Sequence, residues 1–202
     1  HVLRCFVDEN VTHVEGKVGP VRDAETVETE LMLADMEMLE KRAASLTKKA
    51  RGNDKDAVYQ LETVQRVLAV LQKGVPARTI EVLEDDKKTF DMLQLLSGKP
   101  VLYVCNVDEN SASAGNKLSS EVANMAVEQG AVSVVISAKI EEEIAALEDE
   151  ADKAEFLGTL GLEETGLTRV IRAGYELLHL ITFFTVGPKE ARAWTVNKNA
   201  KA

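Results

Sequence analysis

Apolar positions along the chain change period several times, and each change marks an element. Residues 2–6 alternate as a short strand and lead into a polar loop at 8–16. From 24 to 51 the pattern turns helical, with Leu31, Ala34, Met38, Ala43, Leu46 and Ala50 close to helical spacing. Gly52-Asn53-Asp54 is a turn signal, and Asp54 is placed to cap the next helix. That helix repeats Val58, Leu61, Val64, Leu68 and Leu71 on one face and stops at Gly74. Two long amphipathic helices around a tight polar turn predict an antiparallel hairpin with the stripes as its seam. Residues 76–97 are expected to hold a short strand or loop and then a helix around 85–96. Gly98-Lys99-Pro100 opens a return to α/β character. Strands are predicted at 101–105 and 131–136, with a helix at 116–129 between them. Further helices follow at 141–157 and 164–180. Two β-rich runs, 182–186 and 191–196, flank Gly187-Pro188-Lys189-Glu190 as a hairpin. The expected organisation is therefore an α/β domain in two parts, 1–23 and 98–180. Residues 24–97 interrupt it as a helical insertion, and 181–202 begin a β-rich domain.

At 202 residues and 45% hydrophobic content, the chain can bury one or two cores. A net charge of −10 argues against bulk nucleic-acid binding, though not against a local basic patch. Cys5 and Cys105 fall in predicted strands and read as buried small hydrophobes, which favours a reducing cytoplasm. No apolar run reaches the length of a membrane span. No Cys or His pair has zinc-ligand spacing, so no protein-only metal site is expected. The chain opens on His1 in mid-strand, as a piece of something longer would.

The strand at 101–105 runs into Asn106-Val107-Asp108-Glu109. That layout is similar to the base-reading loop of P-loop GTPases, Asn-Lys-x-Asp, whose Asp accepts from guanine N1 and N2. Here Val107 stands in place of the Lys and Glu109 in place of the Asp, which puts guanine reading in doubt. About thirty residues on, the second strand ends in Ser137-Ala138-Lys139, similar to the Ser-Ala-Lys that approaches the base in the same proteins. Either motif alone is also a plain polar strand-to-helix turn. Together they lie at the carboxyl ends of neighbouring predicted strands, where open α/β sheets bind ligands.

Four further segments carry a closer resemblance. They are Asp8-Glu9-Asn10-Val11-Thr12-His13-Val14-Glu15-Gly16-Lys17-Val18, Asn106-Val107-Asp108-Glu109, Arg169-Val170-Ile171-Arg172-Ala173-Gly174-Tyr175, and the run from Phe184 through Trp194 to Thr195. With them, the whole chain resembles the Obg-like ATPase, or YchF, family of P-loop NTPases. The resemblance implies a Ras-like nucleotide domain carrying a helical, coiled-coil-like insertion, followed by a TGS-type domain. It implies ATP in preference to GTP, with Asn106, Val107 and Glu109 on one wall of the base site and Ser137, Ala138 and Lys139 on the other. Asp108 receives no role. Family members carry a glycine-rich phosphate loop, Mg²⁺ ligands and an Asp-x-x-Gly switch ahead of the point where this chain begins. No Gly-x-x-x-x-Gly-Lys-Ser/Thr occurs in the 202 residues. The chain alone is thus expected to bind ATP weakly and not to hydrolyse it.

Two more features follow. As a loop residue, His13 could simply cap a turn. The resemblance makes it the substitute for the water-orienting glutamine of Ras-like enzymes, a task that suits a neutral imidazole. Lys41, Arg42, Lys48, Lys49, Arg51 and Lys55 put six positive charges against Asp54 between 41 and 55. A solvated helix end explains part of that cluster. A phosphate-contacting arm explains more, and the family's association with ribosomes points to ribosomal RNA. Without interleaved aromatics, base-specific reading of single strands or of DNA is not expected. The leading reading is an ATP-hydrolysing, ribosome-associated cytoplasmic switch. A GTP-binding protein and a non-catalytic binding scaffold are the alternatives.

Overall fold

A computed structural model describes residues 1–8, 17–198 and 200 of the chain. These divide into two compact units, His1–Asp23 with Pro100–Ala202, and Ala24–Lys99.

In the first unit, β1 (Val2–Arg4), β2 (Leu102–Asn106) and β3 (Val132–Ile136) form a parallel sheet in the order β1-β2-β3. β1 is shorter than its apolar run. Cys5 lies just past its end, although its N–H still donates to the Asn106 carbonyl at 2.7 Å. Parallel neighbours need a crossover, and between β2 and β3 it is α4 (Lys117–Glu128). Asn116 and Ser119 start α4 with a reciprocal capping box, and the Asn116 Nδ2 donates to the Cys5 carbonyl at 2.6 Å. One polar side chain thus sets the helix start and ties it to the end of β1. After β3 come α5 (Ala138–Ala146), α6 (Glu150–Thr159) and α7 (Gly166–Leu177).

Successive strand residues point to opposite faces, and two glycines show where the helices lie. A Cβ on Gly115, just before α4, would meet the Val135 side chain at 3.6 Å. A Cβ on Gly166, the first residue of α7, would meet Ile136 at 2.8 Å. α4 and α7 therefore cover opposite faces of β3. Leu3, Tyr103, Cys105, Val122, Met125 and Ala126 are buried in this unit, and the Tyr103 hydroxyl donates to Gln129 at 2.7 Å. Cys5 is fully buried too. Its hydrogen bond with the Cys105 thiol, and then that burial, push its thiol pKa up, so it stays protonated and inert.

The single helix expected at 141–157 is two. Leu147 is extended, and Asp149 caps α6 by accepting from the Ala151 N–H at 2.7 Å. The break lets Ile140 and Ile144 of α5 share one cluster with Phe156, Leu157, Leu160 and Leu162, which a straight rod would carry away. The helix expected to reach 180 also ends early. His179 turns to φ 53, and β4 (Leu180–Val186) pairs antiparallel with β5 (Ala191–Asn197).

The second unit is the helical hairpin. α1 (Pro20–Ala50) begins at a proline, whose missing N–H costs nothing in a first turn, rather than at residue 24. Asn53 takes φ 61 in the turn, and Asp54 caps α2 (Lys55–Leu71) by accepting from the Ala57 N–H at 3.0 Å. The buried seam keeps Leu46, Val64 and Leu71 of the stripes read from sequence, with Met38, Ala43, Leu61 and Leu68 packed against it. On α1 it is Met32, Leu39 and Leu46; on α2 it is Ala57, Val64, Val67 and Leu71, with Val58 left 41% exposed. A buried carboxylate shares the inward face of α1 with Met32 and Leu39. Asp35 is 2% exposed and accepts from the N–H groups of Leu96 and Ser97, both at 2.8 Å, and from the Ser97 hydroxyl at 2.6 Å. Its face of α1 points inward despite its charge, because three donors converge on it. Ser97 in turn accepts from Arg78 through its carbonyl and from Ala77 through its hydroxyl. The helix expected near 85–96 is α3 (Glu84–Asp91).

Candidate functional site

β2 and β3 end side by side, and their last backbone bond continues past the ladder. The Val107 N–H donates to the Ile136 carbonyl at 2.8 Å. Val107 is 3% exposed, an apolar plug beneath the loop. With its N–H engaged and its side chain buried, the group it can offer to a ligand is the carbonyl. Asn106, the last residue of β2, accepts through Oδ1 from the Ala138 N–H at 2.9 Å. That bond joins the two sequence motifs, since Ala138 opens α5 directly after β3. A short carboxamide at a strand end reaches the neighbouring loop's amide without giving up its own Nδ2 donors.

Asp108 has a clear task. Its carboxylate accepts from the Ser111 N–H at 3.1 Å and from the Ser111 hydroxyl at 3.0 Å, capping the single 3-10 turn Glu109–Ser111. An Asp-x-x-Ser cap at a turn start is a local signal, and it was readable in the sequence. The cap holds Glu109 at the rim, where its carboxylate pairs with the Lys139 ammonium from the other loop. Mutual hydrogen bonding holds the Glu109 carboxyl below the usual carboxylate range and the Lys139 ammonium above its ordinary value. Both groups stay charged at neutral pH. The pair is lost only as pH falls through the depressed Glu109 pKa, or rises through the elevated Lys139 pKa.

Ser137 lies between these features. It is 3% exposed, occupies the cap position of α5 without making a capping bond, and its Oγ is buried without a hydrogen-bond partner. A buried hydroxyl left unpaired is costly, so this atom marks a place where a polar group of a ligand would be welcome. All six residues expected at the site are linked by direct bonds or chain adjacency, and Ser137 among them carries the orphaned hydroxyl. His13 lies outside the described residues. The chain that leads to it leaves β1 on this same side of the parallel sheet, held by Arg4, whose guanidinium donates to the carbonyls of Phe6 and Asp8 at 3.2 Å.

The basic cluster sits at the hairpin turn, and its charge is reduced by pairing. Lys41 pairs with Glu37 at 2.6 Å, and Arg42 reaches the Met92 carbonyl at 3.5 Å. Lys48, Lys49, Arg51 and Lys55 are exposed and have no ion pair among the described residues.

No family model matches the chain. Curated relatives do. It is 45% identical over its whole length to the ribosome-binding ATPase YchF of Bacillus subtilis and 43% identical to that of Haemophilus influenzae. The chain belongs to the YchF family. It spans about half the length of the curated relatives it matches, 56% and 55% of these two. The structure of the Schizosaccharomyces pombe YchF GTPase superposes with a TM-score of 0.86 at 30% identity, over 100% of this chain and 55% of that one. YchF relatives are thus named both as ATPase and as GTPase. Among the described residues, no helix is long and apolar enough to cross a membrane.

Proposed function

We propose that the β2–β3 end is the base-reading half of an ATP site in a cytoplasmic, ribosome-associated P-loop hydrolase of Ras-like fold. The insertion at 24–97 is its arm, and the hairpin from 181 is the start of a TGS-type domain. The observation that carries the ATP reading is the Glu109–Lys139 pair. A guanine reader needs a free carboxylate facing the base edge; among the described residues Asp108 caps a turn and Glu109 is neutralised by a lysine. The Asn106 Nδ2 and the Val107 carbonyl remain, a donor and an acceptor that suit the ring nitrogen and amino group of adenine. Ser137 Oγ adds a third polar contact. Mg²⁺ would be held through the triphosphate and residues outside this chain, and no described residue is assigned to it.

Restoring the guanine pattern tests the reading. Val107→Lys with Glu109→Asp in the full-length protein is expected to move the ratio of ATP to GTP affinity toward GTP by at least about tenfold, the effect of about 1.4 kcal/mol. Isothermal titration with both nucleotides gives the ratio, and an unchanged ratio would reject the assignment.

The arm is the second part of this proposal. Its four unpaired cations, Lys48, Lys49, Arg51 and Lys55, suit ribosomal RNA phosphates, and the ribosome-binding name of the relatives supports that partner. Reversing Lys48, Lys49 and Arg51 to Glu is expected to weaken ribosome co-sedimentation and to flatten its salt dependence. Stability should change by only about 0.5 kcal/mol, as for other solvated surface charges. Binding indifferent to both charge and salt would make the cluster a plain solvated face.

A further inference from the structure

β3 has an unpaired edge opposite β2. Among the described residues β3 pairs only with β2, and the register fixes which groups face outward. Val132 donates to the Val101 carbonyl, and Ile136 accepts from Val107, so the even-numbered residues carry the ladder. Ser133 and Val135 therefore turn their N–H and C=O groups away from the sheet. Exposed edges in native proteins are commonly protected by a charge, a proline or a bulge. The sequence Val132-Ser133-Val134-Val135-Ile136 has none of these.

This edge also forms the floor of an open cleft of about 410 Å³, walled by α7 and the loop before α4. Gly166 lets α7 pack directly onto Ile136, and the helix then runs beside the strand. Arg169 and Arg172 line the cleft from that helix, with Glu176 farther along. Arg172 is committed to Glu164 through two hydrogen bonds at 2.8 and 2.7 Å. Arg169 makes no ion pair among the described residues, and its Nε is buried without a hydrogen-bond partner. An unprotected strand edge beside a helix, with one uncommitted guanidinium in the wall, suits a particular kind of ligand.

We propose that this groove binds an extended, acidic segment of a partner protein by strand addition. The segment's backbone pairs with Ser133 and Val135, and Arg169 receives its carboxylate. Main-chain bonds supply affinity in this mode, and a side-chain pocket supplies selectivity. Arginine suits the second task because its planar fork can hold a carboxylate through two bonds. Glu176 repels a second acidic residue farther along, so the segment carries a single carboxylate, level with Arg169.

The probe is a fluorescein-labelled eight-residue peptide alternating valine and threonine, with one central glutamate, titrated into the full-length protein by anisotropy. Saturable binding is expected, at least tenfold weaker when the glutamate is changed to glutamine and lost when alternate peptide amides are N-methylated. Arg169→Met should erase the preference for glutamate, with Arg169→Lys restoring part of it. Bound peptide should slow amide exchange at Ser133 and Val135 by at least tenfold. No binding overturns the proposal, as does binding indifferent to the glutamate or to methylation, or protection that appears elsewhere. Full protection of Ser133 and Val135 in the free protein overturns it too, because the edge is then already covered by another part of the protein or by a second copy. Should Arg169→Met fail to fold, the two peptide changes alone decide.

Discussion

Replacing Asp35 with alanine is expected to cost the hairpin unit about 3–5 kcal/mol, the largest single-residue effect on stability in this chain. Three donors converge on its carboxylate, the Leu96 and Ser97 amides and the Ser97 hydroxyl, all within 2.8 Å. Hydrogen bonds to a charged acceptor contribute about 1.5–3 kcal/mol each, and a buried donor left unpaired adds its own desolvation cost. These contributions are not additive, which is why the expected total stays below their sum. Alanine also cuts the tie of 96–97 to α1, and with it the path through Ser97 to 77–78, leaving the Arg78–Glu28 ion pair as the other link of 77–78 to α1. Asp35→Asn separates charge from shape. It keeps one acceptor but turns an amide against a donor, so it should still cost about 2 kcal/mol. Urea unfolding gives the totals, and hydrogen exchange at Leu96 and Ser97 reports the local loss. A change below about 1 kcal/mol for alanine would mean that the carboxylate is not the anchor it is taken for.

The second large effect is kinetic. His13→Ala in the full-length protein is expected to slow ATP hydrolysis by about 10²-fold or more, the range over which a positioned acid–base group acts. Affinity for ATP should stay within about twofold. The separation follows from the role, since a group that orients the attacking water acts in the transition state and contributes little to the ground state. His13 lies outside the described residues, so this rests on the family resemblance and on the direction of the chain. Asn116 and Arg4 hold residues 5–8 at the same end of the sheet as the Asn106 and Ser137 loops. Single-turnover hydrolysis with saturating ATP measures the step. If turnover and affinity fall together, or neither moves, His13 is a loop residue.

Much of this architecture was legible because the local signals were strong. Asp54 after Gly52-Asn53, and Asn116 three residues before Ser119, marked helix starts that the structure keeps. Both halves of the rim could be read from polar residues following β-branched runs. The failures share a cause, in that a tertiary contact outweighed a local pattern. In the first half of α1 the inward face is Met32, Asp35 and Leu39 and not Leu31 and Ala34, and a carboxylate counts against burial until its three donors are known. The helix expected at 141–157 broke at Leu147 so that residues on both sides could share the Ile140 cluster. Asp108 is different: its cap on Ser111 is a local Asp-x-x-Ser signal that lies inside the base-loop motif. The pairing of Glu109 with Lys139 joins residues thirty apart, and only the closeness of two strand ends brings them together.

That pairing is also where the central claim is most exposed. The direct measurement is isothermal titration of the full-length protein with ATP and with GTP under identical salt and Mg²⁺. A rim whose carboxylate is neutralised by Lys139, leaving Asn106 and the Val107 carbonyl to read the base, predicts tighter binding of ATP by about tenfold or more. Tighter binding of GTP would contradict it.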